Sequence, residues 1–405
     1  MPDLPHHELR RTARQMNLPG FGLEQQTALH NAHVLVIGAG GLGCPLMQTL
    51  AATGIGRITV IDDDTVDLSN IHRQILFGAD DVGRAKVDVA AERLRALQPG
   101  IELNCINGRF SDNNALGLLP GVDVLVDGSD TFATKFLAAD AAEIAGVPLV
   151  WGSVLRYRGD VALWFSGPGA PADGAGLRDL YPTQPGADSV PDCATAGVLG
   201  VTTSVVGGLM ATEVIKFITG VGESVVGRLR MYDALSATIR TFDVARDPAR
   251  DLVTGFGTYD AAGVGACEVE GASARALLDR LARGEALGLD VREGHEKAIS
   301  DIPGATHHLP TSVWEADPEA ARTLLHALPR DCDVVVYCAA GSRSKRFVEH
   351  FSELARRRGI TLTSLPGGAN RHGIELPGRV VLAGLEQGAG QRGCDGRADE
   401  HEHRV

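Results

Sequence analysis

What this sequence lacks narrows it first. Seven cysteines (Cys44, Cys105, Cys193, Cys267, Cys332, Cys338 and Cys394) are scattered through 405 residues, with no C-x-x-C pair among them. That is neither a disulfide framework nor a zinc signature, so no structural zinc is expected. There is no basic run, and 38 Lys and Arg stand against 51 Asp and Glu, a formal charge of −13. Such an acidic balance argues against nucleic acid or an anionic membrane as the main partner. The first residues, MPDLPHHELRR, lack the apolar core of a signal peptide. The most apolar later segment, VTTSVVGGLMATEVIKFITG, carries Glu213 and Lys216 and reads as a buried helix rather than a membrane span. The expected location is the cytoplasm.

What is present is an alternation. HVLVIG, RITVID, IELNCI, VDVLVDG and VPLVWGS read as strands up to about residue 150, and AKVDVAAERLRAL reads as an amphipathic helix. The pattern predicts an α/β fold with a doubly wound, mostly parallel sheet. GDVALWF, RLRMYDA and TIRTFDV add an antiparallel extension, and a helix is expected near 203–219. Residues 166–191 are rich in Gly and Pro and read as a long loop. A first domain is therefore expected over 1–245 and a polar, Gly-rich linker over 246–265. A smaller α/β domain follows over 266–382, built from ARALLDRLARG, ALGLDVRE, DVVVYCAAGSRS and KRFVEHFSELARRRG. Residues 383–405 are polar and aperiodic and read as a disordered tail.

The stretch VLVIGAGGLGCP places Gly38, Gly40, Gly41 and Gly43 between a strand and a helix. Such glycines allow a tight turn and close approach of phosphate to a helix N-terminus. Asp62 ends the second strand, where an acid can bind ribose hydroxyls. The loop alone does not separate a dinucleotide from ATP. Asn70, Arg73, Gln74 and Lys86 lie in one short segment, DLSNIHRQILFGADDVGRAK. Two cations and two amides make a phosphate-rich site, more than the two phosphates of NAD need. They favour ATP, whose pyrophosphate leaving group cations would stabilise. Asp130, in VLVDGSDTF, follows a strand at the carboxyl edge and is a candidate magnesium ligand.

These motifs, GAGGLG, IDDDTVDLSNIHRQ, GRAK and GSD, followed by AGVLG and MYDA, resemble the E1-like adenylyltransferases of the MoeB/ThiF family from about Arg11 to Pro248. The resemblance implies adenylation of the C-terminal glycine of a ubiquitin-like sulfur carrier protein with a Gly-Gly end, using ATP and Mg2+. It implies a homodimer in which Arg14 of RTARQ reaches the other subunit's nucleotide. Asp62 and Asp64 would lie at the nucleotide, Arg73 and Lys86 at its phosphates, and Asp130 at magnesium. Cys193, in VPDCATAGVLG, matches a cysteine that attacks the acyl group or accepts sulfur in the family. Thr131 and Lys135 stand where the family usually has Asn and Arg, and both retain hydrogen-bonding capacity. Where many relatives carry two zinc-binding C-x-x-C pairs, this chain has GLRDLYP and DPARDLVTG, as in the zinc-free, MoeZ-like type with a C-terminal rhodanese domain.

In the second domain, Cys338 ends a strand and opens the loop Cys338, Ala339, Ala340, Gly341, Ser342, Arg343 before a helix. Loop amides and a helix N-terminus favour an anionic sulfur there. The loop resembles that of rhodaneses, and LDVRE and IPGA are further landmarks of that family. GGANRHG replaces the family's later Gly-Gly motif with Trp, which affects late packing and need not touch the loop. The resemblance implies a persulfide on Cys338, charged by a cysteine desulfurase or thiosulfate. Two other readings stand beside this one: an NAD-dependent oxidoreductase with an accessory domain, and a non-catalytic scaffold that binds a carrier.

Overall fold

The computed structural model describes residues 4–185, 197–259, 267–339, 341–372 and 374–375. The chain divides into two compact units, Met1–Cys267 and Glu268–Val405. In the first, the apolar runs form β1 (His33–Ile37), β2 (Arg57–Asp62), β3 (Glu102–Asn107), β4 (Val124–Asp127) and β5 (Leu149–Leu155). They are joined by parallel pairing in the order β3-β2-β1-β4-β5. Then β6 (Arg158–Trp164), β7 (Arg228–Asp233) and β8 (Thr238–Asp243) extend the sheet antiparallel. The strand order reverses at β1/β4, so a crevice opens at the carboxyl ends of those strands.

Helices cover both faces. The chain enters through α1 (His6–Thr12) and α2 (Leu23–Asn31); α3 (Gly43–Thr53) follows β1, and α4 (Lys86–Leu97) lies between β2 and β3. The short α5 (Ala115–Leu118) and the long α6 (Phe132–Ala145) flank β4. One core packs Val34, Val36, Leu46, Val60, Met210 and Val214 on one face of the sheet, and a second packs Leu35, Leu125, Phe136, Trp151 and Trp164 on the other. The loop after β6 contains a short helix, α7 (Leu177–Leu180), whose Leu177 is buried. The apolar segment forms α8 (Gly200–Thr219), long and apolar enough to cross a membrane by composition. In this fold it is a core helix. Val206, Met210, Ala211 and Val214 are fully buried, worth about 1.5–3 kcal/mol for each large side chain. Its Glu213 carries ion pairs to Lys216 and Arg230.

One sequence expectation gives way here. Residues 246–265 read as a linker, but the part described, to Tyr259, is bonded to the first unit. Arg250 forks onto Glu143 of α6 and Asp179 of α7, and Tyr259 Oη donates to Asp140 at 2.6 Å. The polar composition suggested exposure; the charges are in fact consumed by partners more than 65 residues away in sequence.

The second unit is a parallel four-stranded sheet, in the order β11-β9-β12-β13, with β9 (Leu287–Asp290), β11 (Ala305–His308), β12 (Asp333–Tyr337) and β13 (Thr361–Ser364). A two-stranded ribbon pairs β10 (Ser300–Asp301) with β14 (Ile374–Glu375). The helices are α9 (Cys267–Ala282), α10 (Gly294–Ile299), α11 (Thr311–Ala316), α12 (Pro318–Ala327), α13 (Ser342–Arg356) and α14 (Gly368–His372). Trp314, Phe347 and Phe351 stack edge-to-face between α11 and α13.

Candidate active site

The glycine loop of the first unit closes tightly at the end of β1. Gly38 has φ 89°, and its N–H donates to Ile61 at 2.9 Å. A Cβ on Gly43 would fall 1.9 Å from the Gly38 carbonyl oxygen, so only glycine lets α3 begin this close to the strand. Gly40 and Gly41 form the turn between them, flanked by Gln74 and by Arg73 and Thr203. Asp62 closes the floor of the loop: its carboxylate accepts from the Ala39 N–H at 2.7 Å and the Asp64 N–H at 2.8 Å. Burial pushes this carboxyl up, and the Lys86 charge and those two amides work against the rise.

The cations gather where the sequence placed them. Lys86 opens α4, is 3% exposed, and donates to Asp64 Oδ2 at 2.8 Å. Arg73 Nη1 bonds the Ser69 carbonyl at 3.1 Å and the His72 ring at 3.0 Å. Asn70 ends a 3-10 turn, Leu68–Asn70. Gln74 is buried, and its Oε1 has no hydrogen-bond partner among the described residues. Glycines that a Cβ would crowd, two cations and an orphaned buried acceptor fit a bound nucleotide. Asp130 lies exposed just past β4 and makes no hydrogen bond or ion pair among the described residues. Arg14 is likewise exposed just past α1 and makes no hydrogen bond or ion pair among the described residues. Cys193 lies outside the described residues.

Thr131 and Lys135 both hydrogen-bond, and their partners lie within the fold. Thr131 caps α6 by accepting the Thr134 N–H at 3.2 Å. Lys135 turns inward, 3% exposed, and its Nζ reaches Asp127 at 3.3 Å, the Ser129 carbonyl at 2.8 Å and the Gly152 carbonyl at 2.6 Å. Asp127 is fully buried and also accepts from the Ser129 N–H at 2.9 Å. Of the two acids at this strand end, one is locked into the fold and the other faces solvent. The sequence reading passed over Asp127 although it stands in the same VLVDG motif. It also passed over Asp160 on β6, whose carboxyl burial pushes up to about 6 against the charges of Arg158 and Lys135.

In the second unit, Cys338 directly follows the last residue of β12 and is fully buried. Its Sγ accepts the Gly341 N–H at 3.0 Å and the Ser344 hydroxyl at 3.6 Å. Ala339 follows at the strand end, and Ala340 lies outside the described residues. Ser342 starts α13, so the sulfur sits at a helix N-terminus. Arg343 is buried and forks onto Glu296 of α10 at 2.6 and 2.7 Å. Burial works against its charge, but the Glu296 bond, with a smaller share from Cys338, outweighs that and raises it. The landmark LDVRE is a buried ion pair, Arg292 to Asp290 at 2.7 Å, with Asp290 paired in register to Tyr337 beside the cysteine. GGANRHG touches the loop through its backbone. The Ala369 N–H donates to the Cys338 carbonyl at 2.8 Å, and a Cβ on Gly368 would lie 2.2 Å from that oxygen. Close backbone packing here needs the glycine at 368.

Comparison with known proteins agrees with both halves. The ThiF family model matches residues 12–252 and the rhodanese-like domain model residues 273–371. A probable adenylyltransferase/sulfurtransferase MoeZ of Mycobacterium tuberculosis is 41% identical over 352 residues, 84% of this chain and 87% of that protein. The adenylyltransferase and sulfurtransferase MOCS3 of Bos taurus is 34% identical over 405 residues, 93% of this chain and 88% of that protein. A sulfur carrier protein adenylyltransferase of Thermus thermophilus is 44% identical over 241 residues, 60% of this chain and 89% of that protein. Among solved structures, E. coli MccB superposes with a TM-score of 0.54 at 22% identity, over 64% of this chain and 76% of that one, which supports the fold. The glycine loop with its cations and the cysteine loop later in the sequence thus have their place: the chain belongs to the ThiF family and carries a rhodanese-like domain after it in sequence, the arrangement of the adenylyltransferase/sulfurtransferases.

Proposed function

We propose that this chain adenylates the C-terminal glycine of a ubiquitin-like sulfur carrier protein with ATP, then delivers sulfur to it from a persulfide on Cys338. The observation that carries the first half is the convergence of the Gly38–Gly43 loop, Asp62, Arg73, Lys86 and the free carboxylate of Asp130 on one sheet edge. Adenylation joins a carrier carboxylate oxygen to the α-phosphorus and breaks the bond to the β-phosphate, releasing pyrophosphate. Arg73 and Lys86 are the groups to neutralise the charge on the leaving phosphates. Lys86 waits on Asp64, whose carboxylate is exposed and can turn to water when phosphate takes the cation. No group of three potential metal ligands occurs among the described residues. A magnesium ion bound mostly by phosphate oxygens and water, with one carboxylate such as Asp130, suits that arrangement. Magnesium, when bound, supplies charge neutralisation at the triphosphate.

In the second half, the terminal sulfur of the Cys338 persulfide attacks the acyl carbon and AMP leaves. The carrier is then held as an acyl disulfide. A thiol attacking Cys338 Sγ breaks the S–S bond and frees the thiocarboxylate, leaving a disulfide for a thiol reductant to reopen. We assign that thiol to Cys193. A cysteine desulfurase or thiosulfate would recharge Cys338. A homodimer would bring Arg14 of one subunit to the nucleotide of the other. Neither the oxidoreductase nor the scaffold reading is favoured by a specific observation.

The test is carrier-dependent ATP–pyrophosphate exchange with candidate Gly-Gly-ended carriers, followed by weighing the carrier. Exchange, and a gain of one sulfur for one oxygen in the carrier mass, are expected. Absence of exchange with every such carrier would overturn the adenylation half.

A further inference from the structure

The sulfur of Cys338 has two described donors, and they differ in kind. The Gly341 N–H is fixed by the backbone. The Ser344 hydroxyl carries one proton and has three acceptors within reach: Cys338 Sγ at 3.6 Å, the Gly341 carbonyl at 2.9 Å and Ser364 Oγ at 2.8 Å. Ser344 is fully buried, so bulk water does not decide among them. Ser364 is the last residue of β13, paired in register with Val336 of β12, two residues before the cysteine. Among the described residues it is the one group that can donate a proton to Ser344 Oγ, because the Gly341 carbonyl and the sulfur anion can only accept.

We propose that Ser364 is a positioning residue for Cys338, acting through Ser344, an inference that rests on the sulfurtransferase reading of this loop. When Ser364 donates to Ser344, the Ser344 proton is free to turn toward an anionic sulfur. The array Ser364 O–H, Ser344 O–H, sulfur then runs in one direction, and each bond polarises the next. When Ser344 instead donates to the Gly341 carbonyl or to Ser364, the sulfur loses the hydroxyl and keeps the Gly341 N–H and the Arg343 charge. Arg343 bears on the sulfur as well, but independently of the array: two of its guanidinium nitrogens are held by Glu296 at 2.6 and 2.7 Å, so its charge stays near Cys338 whichever way Ser344 turns. Without Ser364, the nearer Gly341 carbonyl captures the Ser344 proton and the ionised sulfur loses a donor. The argument applies to the cysteine thiolate, whose charge lies on Sγ itself.

The experiment uses the full chain and the variants Ser364→Ala, Ser364→Thr and Ser344→Ala. The rate of alkylation of Cys338 by iodoacetamide is followed against pH by peptide mass spectrometry, and thiosulfate-dependent sulfur transfer is measured beside it. Ser364→Ala is expected to move the alkylation profile toward higher pH and to lower kcat for sulfur transfer several-fold with little change in KM. Ser344→Ala is expected to do the same, and the double variant to add nothing further. Ser364→Thr, which keeps the hydroxyl, is expected to restore the native profile. A native profile in folded Ser364→Ala overturns the proposal, as does a Ser364→Thr profile as displaced as that of Ser364→Ala. The alkylation arm needs no sulfur-transfer activity. A native protein that alkylates but transfers no sulfur would therefore defeat the sulfurtransferase reading, while the profiles still decide the role of Ser364.

Discussion

At the residue scale, two acids three positions apart have opposite expected behaviour. Asp130 is exposed and unpartnered among the described residues, whereas Asp127 is fully buried on Lys135. Asp130→Ala should therefore leave thermal unfolding unchanged and abolish carrier-dependent ATP–pyrophosphate exchange. Loss of one charge-stabilising contact at the leaving group costs about 3 kcal/mol or more in the transition state. Full exchange by this variant would remove Asp130 from the site. Lys135→Met should do the reverse in kind. It strands a buried carboxylate, a loss of about 3–5 kcal/mol, read as a lower unfolding midpoint in denaturant. An unchanged midpoint would show that the Lys135–Asp127 pair does not hold this part of the fold.

At the element scale, the segment 246–259 is tied down by a buried knot of charge. Arg250 meets Glu143 at 3.0 Å and Asp179 at 2.8 Å, with all three side chains at most 12% exposed. Ser166 and the Val253 N–H add to Glu143, and the Gly176 and Asp247 N–H groups add to Asp179. The two stretches in which C-x-x-C pairs are missing, around 176–182 and 247–255, are thus joined directly by an arginine and a carboxylate. For both acids burial pushes the carboxyl up, but Arg250 and the other donors outweigh it and hold the carboxyl below its ordinary range. A carboxyl lowered in the folded state contributes stability above its unfolded pKa and loses it as pH falls through the folded value. The contribution of this knot should accordingly be level above about pH 5 and be lost below about pH 4. Arg250→Ala strands two buried carboxylates and should cost about 3–5 kcal/mol at neutral pH, with a smaller deficit in acid, where both are protonated. A deficit that stays constant from pH 7 to pH 3 would show that Arg250 contributes through packing alone.

At the scale of the whole molecule, each unit has its own cores and its own reactive edge. Cys338→Ser should therefore remove thiosulfate sulfurtransferase activity and leave ATP–pyrophosphate exchange at its native rate. Loss of both activities in a folded variant would show that the two chemistries are not separable. Free sulfide must be kept out of the assay, since it can attack an acyl-adenylate without the cysteine.

By itself the sequence determined the elements and the edge on which they meet. Apolar runs of period two and the glycines at 38 and 43 dictate strand, tight turn and helix through contacts a few residues long, and parallel pairing then brings Asp62, Lys86 and Asp130 to one end. The order of motifs carried the family in the same way. Only the tertiary structure decided which charges stay free. Lys135 turned from the nucleotide edge to the Gly152 carbonyl, and the polar stretch after 246 became an anchor rather than a linker. Ser364 came to stand behind the cysteine from 26 residues further along the chain. A charged or hydroxyl side chain has the same local signature whether it faces water or a buried partner. Its choice is set by desolvation and by which groups distant pairing brings within 3 Å, as with Glu143 and Arg250, 107 residues apart.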